Sequence, residues 1–193
     1  MTELVERIKH GGSYLGNGIL KVDSFLNHRL EPKLSLAFGE HFKAKFDALG
    51  VKAVDKIITA ETSGIAPALA TAIYYDKEVI YARKKKPVTM LEHYSAQAPS
   101  HTKGGITTLM ISKEFIGKND NVLIIDDFLA SGKTLFALAQ VVKQSGANLL
   151  GIGCVIEKSF ENGRELLAEL NVPIVSLAII DSLDENGITV RSG

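Results

Sequence analysis

A single cysteine, Cys154, stands among 193 residues, so no disulfide framework is possible within one chain. It lies inside the apolar run Leu149 to Ile156, where it reads as a small buried hydrophobe. Net charge is missing too. Twenty-two Lys and Arg balance 22 Asp and Glu, so no global field points to nucleic acid or to an anionic membrane surface. Any polyanion must be met locally. No stretch reaches the roughly 18 uninterrupted apolar residues of a membrane-spanning helix. The opening Met1-Thr2-Glu3-Leu4-Val5-Glu6 lacks the basic and apolar regions of a secretory signal, and the expected location is cytoplasmic. The 5 histidines show neither H-E-x-x-H nor a Cys/His zinc spacing, so no protein-ligated transition metal is expected. There is no internal repeat, low-complexity tract or interdomain linker. With 46% hydrophobic residues, the chain is expected to form one domain over residues 1–193.

What is present concentrates in Val122-Leu123-Ile124-Ile125-Asp126-Asp127-Phe128-Leu129-Ala130-Ser131-Gly132-Lys133-Thr134. Four consecutive β-formers suit a central strand covered on both faces. Two acids end that strand, and Ser131-Gly132-Lys133-Thr134 opens a run with helical spacing (Leu135, Phe136, Leu138, Ala139, Val142). The turn therefore sits at a helix N-terminus, where unpaired backbone N–H groups bind an anion. Two acids before that cradle would repel a polyphosphate lying across them, but they can accept hydrogen bonds from a vicinal diol. One phosphate in the cradle and a hydroxylated sugar over the acids describe a ribose 5-phosphate. Gly132-Lys133-Thr134 also reproduces the end of a P-loop, G-x-x-x-x-G-K-[ST]. Its first glycine would fall at Asp127, which removes the wide turn that wraps a triphosphate.

At these residues the chain resembles the type I phosphoribosyltransferases, whose signature is a hydrophobic strand, two acids and a small-residue turn with Ser or Thr before Gly. The resemblance implies an α/β fold, with a central mostly parallel sheet flanked by helices, an N-terminal hood and a flexible loop. It implies that Asp126 and Asp127, the catalytic pair, hold the ribose hydroxyls of phosphoribosyl pyrophosphate (PRPP). Ala130, Ser131, Gly132, Lys133 and Thr134 would then hold its 5-phosphate.

The rest of the chain is expected to alternate strand and helix. After an opening helix (Leu4, Val5, Ile8) and a segment of extended structure and loop, rather than core helix, from Ile19 to Leu30, a helical stripe runs through Leu34, Phe38, Phe42, Phe46 and Leu49. Strands follow at 54–59, 79–82, 122–125, 149–156 and 174–180, with helices at 66–75, 134–145 and 164–170. That order implies a parallel sheet, with ligands gathered beyond the carboxyl ends of its strands. Residues 188–190 read as an edge strand and Arg191-Ser192-Gly193 as a frayed end. Residues 1–50 are read as hood and leading helix, and 51–193 as the core. A flexible loop is placed at about residues 90–106, where a polar stretch from His93 to Gly105 interrupts the alternation.

Glu61-Thr62-Ser63-Gly64 forms a second small-residue turn ahead of a helix. By resemblance, Thr62, Ser63 and Gly64 receive the pyrophosphate of PRPP, helped by Arg83 and Lys84 at the next strand end. In the loop, Ser100, His101, Thr102 and Lys103 resemble residues that close over pyrophosphate. Gly18 to His28 looks like the hood of bacterial xanthine-using members, with Leu20 packing on the purine and Asn27 on its polar edge. A lysine resembling Lys158 donates to a ring oxygen in oxopurine-using relatives, and a cationic lysine only donates. The implied substrates are xanthine and PRPP. Mg²⁺ would be held mainly by PRPP and not by a protein metal site, and the assembly is expected to be a homodimer. Hypoxanthine, guanine or adenine as acceptor, and a non-catalytic PRPP-binding regulator, are the alternatives. The regulator needs a DNA-binding module, for which about fifty residues before the first core strand leave little room.

Overall fold

The computed structural model describes residues 1–99 and 105–193. Its elements are α1 (Thr2–Gly11), β1 (Ser13–Tyr14), β2 (Leu20–Lys21), a π-helical turn (Asp23–Asn27), α2 (Pro32–Ala48), β3 (Lys56–Ala60), α3 (Ile65–Tyr75) and β4 (Glu78–Ala82). These are followed by β5 (His93–Pro99), β6 (Ile106–Ser112), β7 (Asn121–Leu129), α4 (Lys133–Ser145), β8 (Asn148–Lys158), a 3-10 turn (Ser159–Glu161), α5 (Gly163–Ala168), β9 (Ile174–Asp184) and β10 (Gly187–Ser192). Six strands form the central sheet in the order β10-β9-β8-β7-β3-β4. Only the β9–β10 pairing is antiparallel.

The two-residue period of β7 divides its apolar run between two cores. Leu123 and Ile125 pack in the layer that holds Leu34, Phe38, Phe42 and Phe46 of α2. Val122 and Ile124 pack in the layer of Leu135, Leu138 and Val142 from α4. Burying such side chains contributes roughly 1.5–3 kcal/mol each. Gly39 lets α2 close on α3, since a Cβ there would fall 2.2 Å from the carbonyl oxygen of Ala70. Leu49 departs from the expected stripe. It caps the C-terminal end of α2, past the packed face, and is 56% exposed.

β7 does not stop at the acids but continues through them to Leu129, because β8 keeps pairing with it as far as Leu129 opposite Glu157. β3 leaves β7 after Ile58 opposite Ile124. Beyond that point the sheet opens between β3 and β7. The chain leaves β3 through α3 toward β4 and leaves β7 through α4 toward β8, in opposite directions across the sheet. This is a topological switch point, where parallel sheets present a crevice.

Three segments differ from the reading of the sequence. Ile19 to Leu30 is not simply extended, since it contains the π-helical turn that buries Phe25 and Leu26. Residues 93–99, read as a polar loop stretch, form β5 and pair antiparallel with β6 from His93 opposite Ser112 to Pro99 opposite Ile106. Its alternation is short, and its inward residues, Ala96 and Ala98, are too small to show as a hydrophobic pattern. The C-terminus is not frayed. Arg191 and Ser192 pair with Ile179 and Ala178, and the Gly193 carbonyl accepts a 2.6 Å bond from Lys45 Nζ.

Candidate active site

A cavity of about 720 Å³ occupies the opening between β3 and β7. Each element reaches it for a local reason. Asp126 and Asp127 stand on the part of β7 that β3 has left. Gly132, at φ 75°, turns the chain from β7 into α4, a conformation that costs glycine little. Thr62, Ser63 and Gly64 lie in the turn between β3 and α3, and Lys84 follows β4. Leu20 and Asn27 come from the N-terminal segment, and Lys158 ends β8. All of these line the one cavity, together with Ala130, Ser131 and Thr134.

The two acids differ in environment. Asp126 is 6% exposed, and its Oδ1 accepts a 3.0 Å bond from the Asp127 backbone N–H. Burial, followed by the neighbouring Asp127 charge, pushes its carboxyl well above the usual carboxylate range, while Lys84 pulls it partly back. Asp127 is partly exposed to the cavity. Burial raises its affinity for a proton as well, opposed by hydrogen bonds from its surroundings, among them Ser63. Two carboxylates that favour protons at the floor of a cleft are poised to accept hydroxyl donors or to meet a cation.

Glu61 fastens the neighbouring turn. Its carboxylate accepts 2.8 Å from Arg83 Nε and 2.5 Å from the Lys84 backbone N–H, so the end of β4 is tied to the start of the turn. Also on the cavity lining, Lys158 Nζ donates to the Gly18 carbonyl at 2.8 Å and to Glu161 Oε1 at 3.2 Å. It also stands 5.7 Å from the centre of the Phe128 ring. An ammonium donor beside the Phe128 ring, the amide of Asn27 and the apolar side chain of Leu20 therefore all line the cavity. A flat heterocycle with polar edges suits that combination.

Two expected site residues lie off the cavity lining. Lys133 begins α4 with its side chain exposed. Arg83 is engaged by Glu61 and borders a separate hollow beside β4. Ser100, His101, Thr102 and Lys103 lie outside the described residues. Glu61, Phe128 and Glu161 line the cavity without having been singled out in the sequence. An aromatic directly after the acid pair was a readable signal for Phe128, whereas Glu61 and Glu161 carry no motif of their own.

The chain matches known proteins along most of its length. The model of the phosphoribosyl transferase domain matches residues 42–189. The chain is 51% identical over 191 residues to a xanthine phosphoribosyltransferase from Deinococcus deserti, covering 98% of this chain and 97% of the relative. It is 44% identical over 189 residues to one from Latilactobacillus sakei, covering 97% and 95%. Among solved structures, adenine phosphoribosyltransferase from Saccharomyces cerevisiae, in a complex containing adenine, superposes with a TM-score of 0.73. That pair is 26% identical and covers 91% of this chain and 99% of the other.

Proposed function

Because this chain belongs to the phosphoribosyltransferase family, with the type I fold, we propose that it is a xanthine phosphoribosyltransferase. It transfers the 5-phosphoribosyl group of PRPP to N9 of xanthine, giving xanthosine 5-phosphate and pyrophosphate in purine salvage. The observation that carries this reading is the meeting of two acids, two glycine turns and a lysine beside an aromatic ring in one cavity.

Bond breaking at the anomeric carbon leaves positive charge on the sugar and negative charge on pyrophosphate, so catalysis rests on positioning and on electrostatics at both ends. Asp126 and Asp127 orient the ribose hydroxyls and put negative charge near the developing cation. The amides and hydroxyls of Ala130 to Thr134 hold the 5-phosphate, while Thr62, Ser63, Gly64 and Lys84 receive the pyrophosphate. Arg83 acts there through Glu61, and Lys103 is proposed as a further PRPP-binding residue. Leu20, Asn27 and Lys158 bind xanthine, with Phe128 offering a further ring surface.

Magnesium fits this site. The oxygen ligands it prefers are supplied by PRPP, and the acid pair, which burial inclines to take up protons, welcomes a nearby cation instead. Bound there with PRPP, it supplies charge neutralisation of the departing pyrophosphate. A cytoplasmic homodimer of single-domain subunits, with residues 1–50 as hood and leading helix on the core, completes the proposal. Leu69 and Ile73 on α3 and Tyr81 on the edge strand β4 are exposed apolar groups that a second subunit would cover.

Adenine as acceptor is suggested by the similar solved structure. Lys158 argues against it, since an ammonium donates to an oxo group and has nothing to accept from an amino group. The deciding experiment is incubation with PRPP and Mg²⁺ and, separately, xanthine, hypoxanthine, guanine and adenine, with the nucleotide formed measured by chromatography. Xanthosine 5-phosphate as the fastest-formed product is expected. Adenosine 5-phosphate in its place, or no nucleotide at all, would overturn the assignment.

A further inference from the structure

Behind the turn that ends β7 lies an ion pair which the catalytic reading leaves unused. Glu157 on β8 is only 3% exposed and is gripped by Arg164 in two parallel bonds, Nε to Oε1 at 2.8 Å and Nη2 to Oε2 at 2.6 Å. Ser176 on β9 donates its hydroxyl to the same carboxylate and accepts from Arg164 Nη2 at 3.0 Å. Arg164 Nη1 also donates to the Ile174 carbonyl at 3.1 Å. The first turn of α5 is thereby fastened to β8 and β9.

That turn touches the residues 130–132. A Cβ on Gly163 would fall 2.1 Å from the Ala130 carbonyl oxygen, 2.7 Å from the Gly132 nitrogen and 2.7 Å from Leu129 Cδ1. A Cβ on Gly132 would meet the Gly163 carbonyl oxygen at 2.8 Å. The backbones of the two segments are therefore in direct contact, with no side chain between them. Glu157 approaches the same turn from another side, since its partner across the β7–β8 ladder is Leu129, the residue just before Ala130.

We propose that Arg164, through its pairing with Glu157, and Gly163, through its backbone contact, are positioning residues that set the shape of the 130–134 turn for the 5-phosphate. The inference rests on the phosphoribosyltransferase reading of that turn. Amides that hold a phosphate must converge on it, and a displacement of about 1 Å in such a site costs on the order of a hundredfold in rate. A loop with only solvent behind it does not hold that shape, whereas one seated on a clamped backbone does. A bidentate arginine suits the clamp, since lysine offers a point charge with no matching fork.

The test compares wild type with Gly163→Ala, Arg164→Met and Arg164→Lys, by calorimetric binding of ribose 5-phosphate and of pyrophosphate and by steady-state kinetics with PRPP. Ribose 5-phosphate affinity and the KM for PRPP should worsen by about tenfold or more in Gly163→Ala and Arg164→Met. Pyrophosphate affinity and the KM for the purine should stay within about twofold, a split that general destabilisation would not produce. Arg164→Lys should fall between. If Gly163→Ala yields no soluble protein, the graded Arg164→Lys and Arg164→Met pair carries the test. Folded variants that bind ribose 5-phosphate as wild type does, or that lose both ligands equally, overturn the inference. Wild-type protein that binds no ribose 5-phosphate would instead overturn the functional reading beneath it.

Discussion

Gly64 lies against Asp126 with no room for a side chain, since a Cβ on the glycine would stand 2.2 Å from the carboxylate Oδ1 and 2.1 Å from the hydroxyl of Thr59. The turn after β3 and the acid of β7 thus touch across the gap where the sheet opens. The Gly64→Ala substitution should push these two parts of the site away from each other. Overpacking of this kind costs about 1–3 kcal/mol, which for a chain of this size lowers Tm by several degrees. A fall of on the order of a hundredfold in kcat/KM for PRPP should accompany it. Circular-dichroism melts and initial-rate kinetics would measure both, and near-normal kinetics in the variant would show that the contact has no bearing on the reaction.

Asp126 also predicts a conflict between stability and function. Burial and the Asp127 charge raise its folded-state proton affinity above that of the unfolded chain. The folded protein therefore binds the proton more tightly, and this residue's contribution to stability falls as pH rises from the ordinary carboxylate range toward the raised folded value. Asp126→Asn carries no charge at any pH and can still accept the Asp127 amide. It should melt higher than wild type at neutral pH, with the difference shrinking toward pH 4, while turnover drops by about a hundredfold or more. A Tm difference that does not vary with pH would contradict the assigned cause.

Much of the cavity lining is legible in the sequence because its signals are local. The acids, Gly132 and the start of α4 fall within one short run of the chain, and the turn at Thr62 to Gly64 sits between a strand and a helix that both announce themselves by period. Pairing was much harder to read. β7 runs on through Asp126 and Asp127 because β8 supplies partners out to Glu157, and nothing in residues 122–129 alone reveals that ladder. β5 was hidden for a similar reason, its inward positions being alanines and its partner, β6, a separate segment of the chain. The Glu157–Arg164 clamp needed α5 in place before either residue looked like more than surface charge.

That clamp has its own pH signature. Burial would raise the Glu157 carboxyl, but Arg164 and the Ser176 hydroxyl outweigh it and hold the group below its usual range. Its stabilising contribution is present above the ordinary carboxylate value and is lost as pH falls through the lowered folded value. Glu157→Gln should therefore melt lower than wild type at pH 7. The cost is about 1–3 kcal/mol, kept modest because Arg164 is half-exposed and can turn to water. The deficit should narrow progressively in acid. Tm measured from pH 3 to 8 would show this, and a deficit that widens in acid would mean that the Glu157 carboxyl is not held below its usual range.

Lys158 joins the N-terminal segment to the end of β8 through its 2.8 Å bond to the Gly18 carbonyl, and it does so in the cavity where the purine is proposed to lie. A xanthine oxo group placed there would take over or share that ammonium, so base recognition and the tie to the N-terminal segment draw on the same donor. Removing a charged hydrogen-bond donor costs about 1.5–3 kcal/mol, which is on the order of ten- to a hundredfold in affinity. Lys158→Ala should accordingly raise the KM for xanthine by that factor while leaving the KM for PRPP within about twofold. Adenine, which has no oxo group to lose contact with, should be used no worse by the variant than by wild type. Equal damage to xanthine and PRPP would instead make Lys158 a structural tie between hood and core, and the choice of purine would have to be sought in Asn27.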